Sequence, residues 1–330
     1  MCIDFTTSNF RVRHSRPFLF IHPTNQLMMN ISKIATLLLF LLLTAGQVFS
    51  QLRTKPDTTI VTSDGVRLFL KVSGHGKPCI FVHGGPGAWS KSFEALGGNV
   101  LEENLTMYYY DQRGSGRSTS PANKDYSLSR MVEDIEDVRR ITGADKVYLL
   151  AHSFGGIPAY HYALKYPTHV AGLIMLNATL SINHSLLSQI GYINKILDTS
   201  FTTADTSAIV STYVAAITAL REKGKGFQML SDNSRNVALL DSIDRSAPRN
   251  YDFGRVALLM PEYFADFRLS TADLNIPVLV ISGAADHNIG PDHYRYFRFP
   301  NQRLNVIQGG HLLYYEKNTD FKRAVTRFLR

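Results

Sequence analysis

The sequence predicts an α/β chain: a mostly parallel, eight-stranded sheet flanked by helices, with a helical cap inserted late in the chain. Three observations predict it. Short apolar, β-branched-rich runs end in turns and alternate with amphipathic helical stretches, the pattern of parallel strands joined by helices. Two alternating segments, Thr58 to Ser63 and Val66 to Val72, meet at Asp64-Gly65, the signal of a hairpin with a two-residue loop. Between Thr179 and Leu274 the strand rhythm stops. Helical patterning replaces it, most clearly over Ser207 to Glu222, with turns at Gly224-Lys225-Gly226 and Ala247-Pro248. The implied division is 1–50 as an N-terminal extension and signal, removed on maturation; 51–180 and 271–330 as the two parts of the core; and 181–270 as the cap.

The elements follow in order. Ile34 to Ala45 is an almost unbroken apolar run of twelve residues, preceded by Lys33 and followed by Gly46 to Gln51. It reads as a secretory signal with Val48 and Ser50 at the small-residue cleavage positions. It is shorter than the roughly 20 residues that span a bilayer, so no stable membrane insertion is expected after cleavage near Ser50/Gln51. Export to the periplasm or beyond is the expectation. Met28 or Met29 gives a normal short n-region, so residues 1–27 read as an over-extended start. No cysteine closely follows the apolar run, which gives no support to a lipid anchor.

In the core, Cys79 to Val82, Leu105 to Tyr110, Lys146 to Ala151, Gly172 to Leu176, Pro277 to Gly283 and Arg303 to Ile307 read as strands. Leu128 to Ile141 reads as a helix whose apolar stripe is Met131, Ile135, Val138 and Ile141. Glu133, Asp134, Glu136, Asp137, Arg139 and Arg140 then fall on its wet sides. Gly155 to Tyr166 reads as a second helix, and Glu316 to Leu329 closes the chain as another, with Phe321, Val325 and Phe328 inward.

Composition narrows the function. The formal charge is +8, and residues 1–50 hold four Lys/Arg and one Asp, so the remainder carries +5. No basic run marks a nucleic-acid binder. Cys79 is the only cysteine after residue 50, so no internal disulfide forms there, and its place in a strand suits packing. No Cys/His cluster has metal-ligand spacing and no phosphate-cradling Gly-Lys-Ser/Thr motif occurs, so no metal or cofactor is expected.

The chemistry concentrates at Ala151-His152-Ser153-Phe154-Gly155-Gly156, between a strand and a helix. A serine on that tight turn is held clear of the sheet, with the helix N-terminus aimed at the reacting carbonyl. The turn brings the positions two before and two after the serine together, so both must be small, as Ala151 and Gly155 are. The strict pattern has Gly where Ala151 stands. A second strand ends in His83-Gly84-Gly85-Pro86-Gly87. Acyl transfer needs two backbone N–H donors for the oxyanion; Phe154 supplies one and Gly85 the other. In chain order an acid and then a histidine follow the serine. Asp286 stands just past the strand Pro277 to Gly283, and His311 on the loop after Arg303 to Ile307. His287 and His293 lie too near Asp286 in sequence to bridge from it to Ser153. Asp292 is a substitute acid farther from its strand, and the other acid position, after Leu176, carries Asn177.

These motifs resemble the proline iminopeptidase branch of the α/β-hydrolases. His83 to Gly87 repeats that branch's His-Gly-Gly-Pro-Gly, and Asp111-Gln112-Arg113-Gly114-Ser115-Gly116-Arg117-Ser118 repeats its Asp-Gln-Arg-Gly-x-Gly-x-Ser. The resemblance covers roughly residues 57–180 and 270–330. The chain departs from it at the elbow, where the branch has Gly-Gly-Ser-Trp-Gly, and at Gly283-Ala284-Ala285-Asp286, where the branch has Gly-Arg-Tyr-Asp. Within the second block, Asp111, Arg113, Gly116 and Arg117 read as bracing for the loops beneath the site rather than as an anion patch. Ser115 has no helix after it and is a poor nucleophile.

The resemblance implies a serine hydrolase with Ser153, Asp286 and His311 as its catalytic residues and a small peptide or ester as its substrate; the apolar run after Lys33 adds that it is secreted. It implies an aminopeptidase for N-terminal proline or small residues, with cap glutamates meeting the substrate's ammonium. Glu222 and Glu262 are the only glutamates in the cap, with Asp266 in reserve. A carboxylesterase or lactonase is the competing reading. A non-catalytic binding module on the same fold is the third, though it would be expected to lack one of the three residues.

Overall fold

The computed structural model describes residues 57–203 and 205–330; the extension, signal and cleavage point read over 1–50 lie outside the described residues. Among the described residues, eight strands form one sheet: β1 (Thr58–Val61), β2 (Arg67–Gly74), β3 (Lys77–Val82), β4 (Leu105–Tyr110), β5 (Val147–His152), β6 (Val170–Leu176), β7 (Val278–Gly283) and β8 (Gln302–Ile307). Their order is β1-β2-β4-β3-β5-β6-β7-β8. β2 pairs antiparallel with β1 and β4, and every later pairing is parallel. The central strands are buried along almost their whole length, which is why they read as continuous apolar runs rather than alternations. β8, at the edge, is only partly buried and mixes Gln302, Arg303 and Asn305 with Leu304, Val306 and Ile307.

The helices are α1 (Ser90–Ala95), α2 (Leu128–Thr142), α3 (Gly156–Lys165), α4 (Ile182–Leu197), α5 (Ile209–Glu222), α6 (Ser234–Asp244), α7 (Asp252–Val256), α8 (Leu313–Glu316) and α9 (Asn318–Phe328). Helices α4 to α7 occupy the chain between β6 and β7. Their apolar faces pack into the same core as the sheet: Ile182, Leu186 and Ile190 share a buried cluster with Leu149, Leu173 and Val280.

The strand order sets where a ligand can bind. From β3 the chain runs to β4 on one side, and from β5 to β6 on the other, although β3 and β5 are neighbours with Val82 beside Ala151. Connections leaving adjacent strands in opposite directions open a crevice at their carboxyl ends. His83-Gly84-Gly85 and Ser153 follow those two ends.

Four expectations need correction. The two-residue hairpin loop is not formed: Val61 pairs with Arg67, so five residues turn the chain. Thr62 closes this longer loop, its N–H donating to the Val66 carbonyl and its Oγ1 accepting from the Val66 N–H at 3.0 Å. In α2, Met131, Ile135 and Val138 are buried but Ile141 is 54% exposed. At about 100° per residue Ile141 stands roughly 80° from Met131, off the stripe. On the same helix Asp134 and Glu136 are buried, not wet. Arg113, itself fully buried, reaches Asp134 with two bonds of 2.7 and 2.8 Å, while Arg139 and the Tyr162 hydroxyl hold Glu136. Ser127 caps the start of α2 and Gly143, at φ 69°, ends it. The closing helix is two pieces, α8 and α9; Phe321, Val325 and Phe328 do point inward.

Candidate active site

Ser153 sits at φ 56°, a left-handed conformation that costs a non-glycine residue on the order of 1–3 kcal/mol. The neighbouring backbone enforces it. The Ser153 N–H donates to the Asn177 carbonyl and the Thr179 N–H to the Ser153 carbonyl, both at 3.0 Å. Two glycines then let α3 turn away at once. A Cβ on Gly155 would stand 2.2 Å from the Val82 carbonyl oxygen, and one on Gly156 2.7 Å from that of Thr179.

The glycine loop after β3 passes directly over the serine. A Cβ on Gly84 would lie 2.6 Å from the Ser153 Cβ, so the loop's close approach to the serine is made at Gly84. Gly85 lines the same cavity at φ 121° and joins Pro86 through a cis peptide. Among the described residues, none accepts a hydrogen bond from the N–H of Gly85 or of Phe154. Two unengaged donors therefore flank the serine's turn. The Phe154 side chain packs away from them, against Phe253 and Tyr263 of the helical insertion. Gly87, at φ 82°, abuts Gly254 of α7.

His83 fixes this loop from below. Its Nε2 accepts from the Gln112 N–H at 2.9 Å, which leaves Nδ1 to donate to the Gly84 carbonyl, also at 2.9 Å. Burial pulls its pKa down, so it stays neutral and structural. Asp111 is an anchor in the same layer. It accepts from the Ser90 N–H and Oγ and from Arg117, whose Nε lies at 2.7 Å. Gly116, at φ 56°, lies so close that a Cβ would stand 2.5 Å from Asp111 Oδ2. Arg113 of the same block donates to Asp134, to Asp64 and to the Asp125 carbonyl. Ser115 is buried beneath the site.

Asp286 is fully buried. Its Oδ1 accepts from the N–H groups of Asn288 and Ile289, at 2.9 and 3.1 Å. His311 Nδ1 faces this carboxylate, 3.0 Å from Oδ2 and 3.2 Å from Oδ1. Burial pushes the Asp286 carboxyl up, but the His311 charge and these hydrogen bonds outweigh it, so the pKa ends below the ordinary value. His311 and Ser153 line one cavity of about 190 Å3, with Gly84 and Gly85 over it. Asp292 is exposed, His287 stacks on Tyr192 at 3.5 Å, and buried His293 faces the Gly290 carbonyl at 2.7 Å. His152 lies against His311, ring centroids 4.6 Å apart. Burial, and then the His311 charge, pull His152 down to about 3, so one of these two adjacent imidazoles stays neutral through the physiological range.

The cap carboxylates are not where the sequence reading puts them. Glu222 is exposed at the end of α5, past its buried Ala216, Ile217 and Leu220. Glu262 is exposed and accepts from the Leu128 N–H at 2.7 Å, at the start of α2. Asp266 pairs with Arg268 at 2.6 Å. None of the three lines the cavity with Ser153. Asp244 does, at the last residue of α6. Its Oδ1 accepts from Trp89 Nε1 at 2.8 Å and Ser92 Oγ at 2.5 Å, and Arg249 stands 3.2 Å from Oδ2. A signal was available: a carboxylate at a helix C-terminus opposes the macrodipole and needs such donors to sit there.

The family profile for the alpha/beta hydrolase fold matches residues 77–318. A proline iminopeptidase from Saccharolobus solfataricus is 33% identical over 127 residues, which are 37% of this chain and 41% of that protein's length. One from Lactobacillus delbrueckii subsp. bulgaricus is 25% identical over 274 residues, 76% of this chain and 89% of that protein. The solved structure of a proline iminopeptidase-related protein from Thermus thermophilus superposes with a TM-score of 0.68 at 21% identity, covering 84% of this chain and 97% of that one. With the profile spanning most of the chain, the protein belongs to the α/β-hydrolase fold family, and the proline iminopeptidases are among the proteins its sequence resembles.

Proposed function

We propose that this chain is a serine hydrolase that works through an acyl-enzyme. The Ser153 Oγ attacks a carbonyl carbon while His311 takes its proton, and the resulting oxyanion is received by the N–H groups of Gly85 and Phe154. His311 then gives the proton to the leaving nitrogen or oxygen as its bond to carbon breaks. Water repeats the sequence to free Ser153. Asp286 fixes the imidazole tautomer and stabilises its cation. The observation that supports this most is the His311–Asp286 pair opening onto the same small cavity as a strained serine. No cofactor or metal is needed by this scheme.

Among substrates, we favour short peptides with an N-terminal proline or small residue. Asp244 supports this: a cap carboxylate faces the cavity, whose volume of about 190 Å3 suits a small side chain. A buried ammonium needs such a partner. A carboxylesterase or lactonase is the second reading, favoured by the apolar walls Phe81, Phe93, Leu230 and Leu240 and by Arg249, which already balances Asp244. Proline arylamide, its N-acetylated form and short acyl esters separate the two. Equal turnover of the free and acetylated amides would end the aminopeptidase reading and leave the hydrolase.

The Asp244→Asn variant sharpens the test, because the amide keeps an oxygen for Trp89 and Ser92 while losing the charge. KM for free-amine substrates is expected to rise about tenfold, the worth of one charge-assisted bond, with ester turnover unchanged. Glu222→Gln and Glu262→Gln should move neither. We also propose export, on the apolar run after Lys33; the intact mass of exported protein should place its start at or near Gln51, and finding residues 1–27 in it would refute this.

A further inference from the structure

Asn177 has no part in the chemistry described above, yet its bonds reach all three segments that carry it. It is fully buried just past β6, at φ 42°. Its carbonyl accepts from the N–H of Ser153 itself, at 3.0 Å. Its Oδ1 accepts from the Gly283 N–H at 2.7 Å, where β7 ends three residues before Asp286. Its Nδ2 donates to the carbonyls of Gly310 and of His311 itself, at 3.0 and 3.1 Å. Its own N–H donates to the Ile281 carbonyl at 2.8 Å. Both amide protons and the amide oxygen are thereby used, so the side chain has one orientation. The β7 and histidine segments it joins are themselves in close contact. A Cβ on Gly283 would stand 2.6 and 2.7 Å from the carbonyl oxygens of Gly309 and Gly310.

We propose that Asn177 is the positioning residue of this site, holding the backbone of His311 and the end of the acid-bearing strand in register with Ser153. The proposal rests on the serine hydrolase reading. The loop carrying His311 has Gly309 and Gly310 directly before the histidine and needs an external tie to fix it. His152 Nε2 reaches the same His311 carbonyl at 3.3 Å, a longer contact than that of Asn177. A side chain with two donors and one acceptor is required at 177. An aspartate would turn an oxygen toward two carbonyl oxygens in a dry site.

The test compares Asn177→Ala and Asn177→Asp with Val138→Ala, a core truncation on α2 remote from the cavity. Each is assayed for ester kcat and KM, for the rate of labelling by a fluorophosphonate probe, and for melting temperature. Misplacing a general base by about 1 Å costs about 100-fold in rate, so kcat and labelling rate of both Asn177 variants should fall together by about that factor. KM should stay within about threefold, because the cavity walls are untouched. Val138→Ala should lower the melting temperature and leave kcat alone. Should the alanine and aspartate variants fail to fold, Asn177→Ser is judged by the same criteria. An Asn177 variant that keeps kcat within about threefold of wild type, or a Val138→Ala loss equal to that of Asn177→Ala, would overturn the proposal. A wild type that neither labels nor hydrolyses would instead remove the hydrolase reading.

Discussion

Ser153→Ala is expected to lower kcat by about 10^6-fold and to abolish fluorophosphonate labelling, while leaving the melting temperature nearly unchanged. The two halves of this expectation have separate physical grounds. In the proposed mechanism the loss is large because the hydroxyl is the atom that forms the covalent bond, and no neighbouring group replaces it. What remains is the contribution of the two N–H donors and of binding, about 10^3 to 10^4 over water in sites of this kind. Stability is spared because Ser153 Oγ has no hydrogen-bond partner among the described residues, and alanine keeps the same backbone and the same left-handed strain. A truncation that breaks no bond and opens no core cavity moves stability by about 0.5 kcal/mol or less. Probe labelling read on a gel and a melting curve measure the two halves. An alanine variant that labels like wild type would place the nucleophile elsewhere.

The parts of this molecule that are legible in the sequence are those set by neighbours along the chain. The strands announce themselves because burial on both faces demands continuous apolar runs, and Ala151 and Gly155 betray the elbow because a turn that tight admits only small residues there. Gly155 has the Val82 carbonyl oxygen against it, which no larger residue permits. The positions of Asp286 and His311 at strand ends follow from the same local reading. What stays hidden depends on partners far along the chain. Asp134 and Glu136 look like wet charges on α2 until Arg113 and Tyr162 are brought to them. Asn177 looks like a missing acid, because its partners Gly310 and His311 are more than 130 residues away. Asp244 escapes notice because the resemblance directs attention to glutamates, and its donors Trp89 and Ser92 lie more than 150 residues before it. The hairpin loop misleads for a related reason. Asp64-Gly65 is a valid two-residue turn, but Asp64 is drawn off to pair with Arg113, and Thr62 closes a wider loop in its place.

Asp286→Asn is expected to cost about 10^4-fold in kcat with the fold intact, and the geometry says why an isosteric change should do so much damage. The substituted side chain has one oxygen and one NH2, and the protein chooses which goes where. Oδ1 of Asp286 accepts from two backbone N–H groups, Asn288 and Ile289. An amide NH2 placed there would meet two donors, so the oxygen is held in that position. The NH2 must then occupy the Oδ2 position, 3.0 Å from His311 Nδ1. A donor facing Nδ1 makes that nitrogen the acceptor and puts the imidazole's single proton on Nε2, the nitrogen that has to be free to take the proton of Ser153. The base is present, correctly placed and in the wrong tautomer. Loss of charge adds to this, because the imidazolium formed on attack has no counter-ion behind it. Asp286→Ala, by contrast, leaves Nδ1 without a partner and allows either tautomer, so it should retain more activity than Asp286→Asn despite removing more of the side chain. Steady-state kinetics on an activated ester, with circular dichroism to establish the fold, decides the order of the two variants. An asparagine variant as active as wild type would show that His311 takes its orientation from another group.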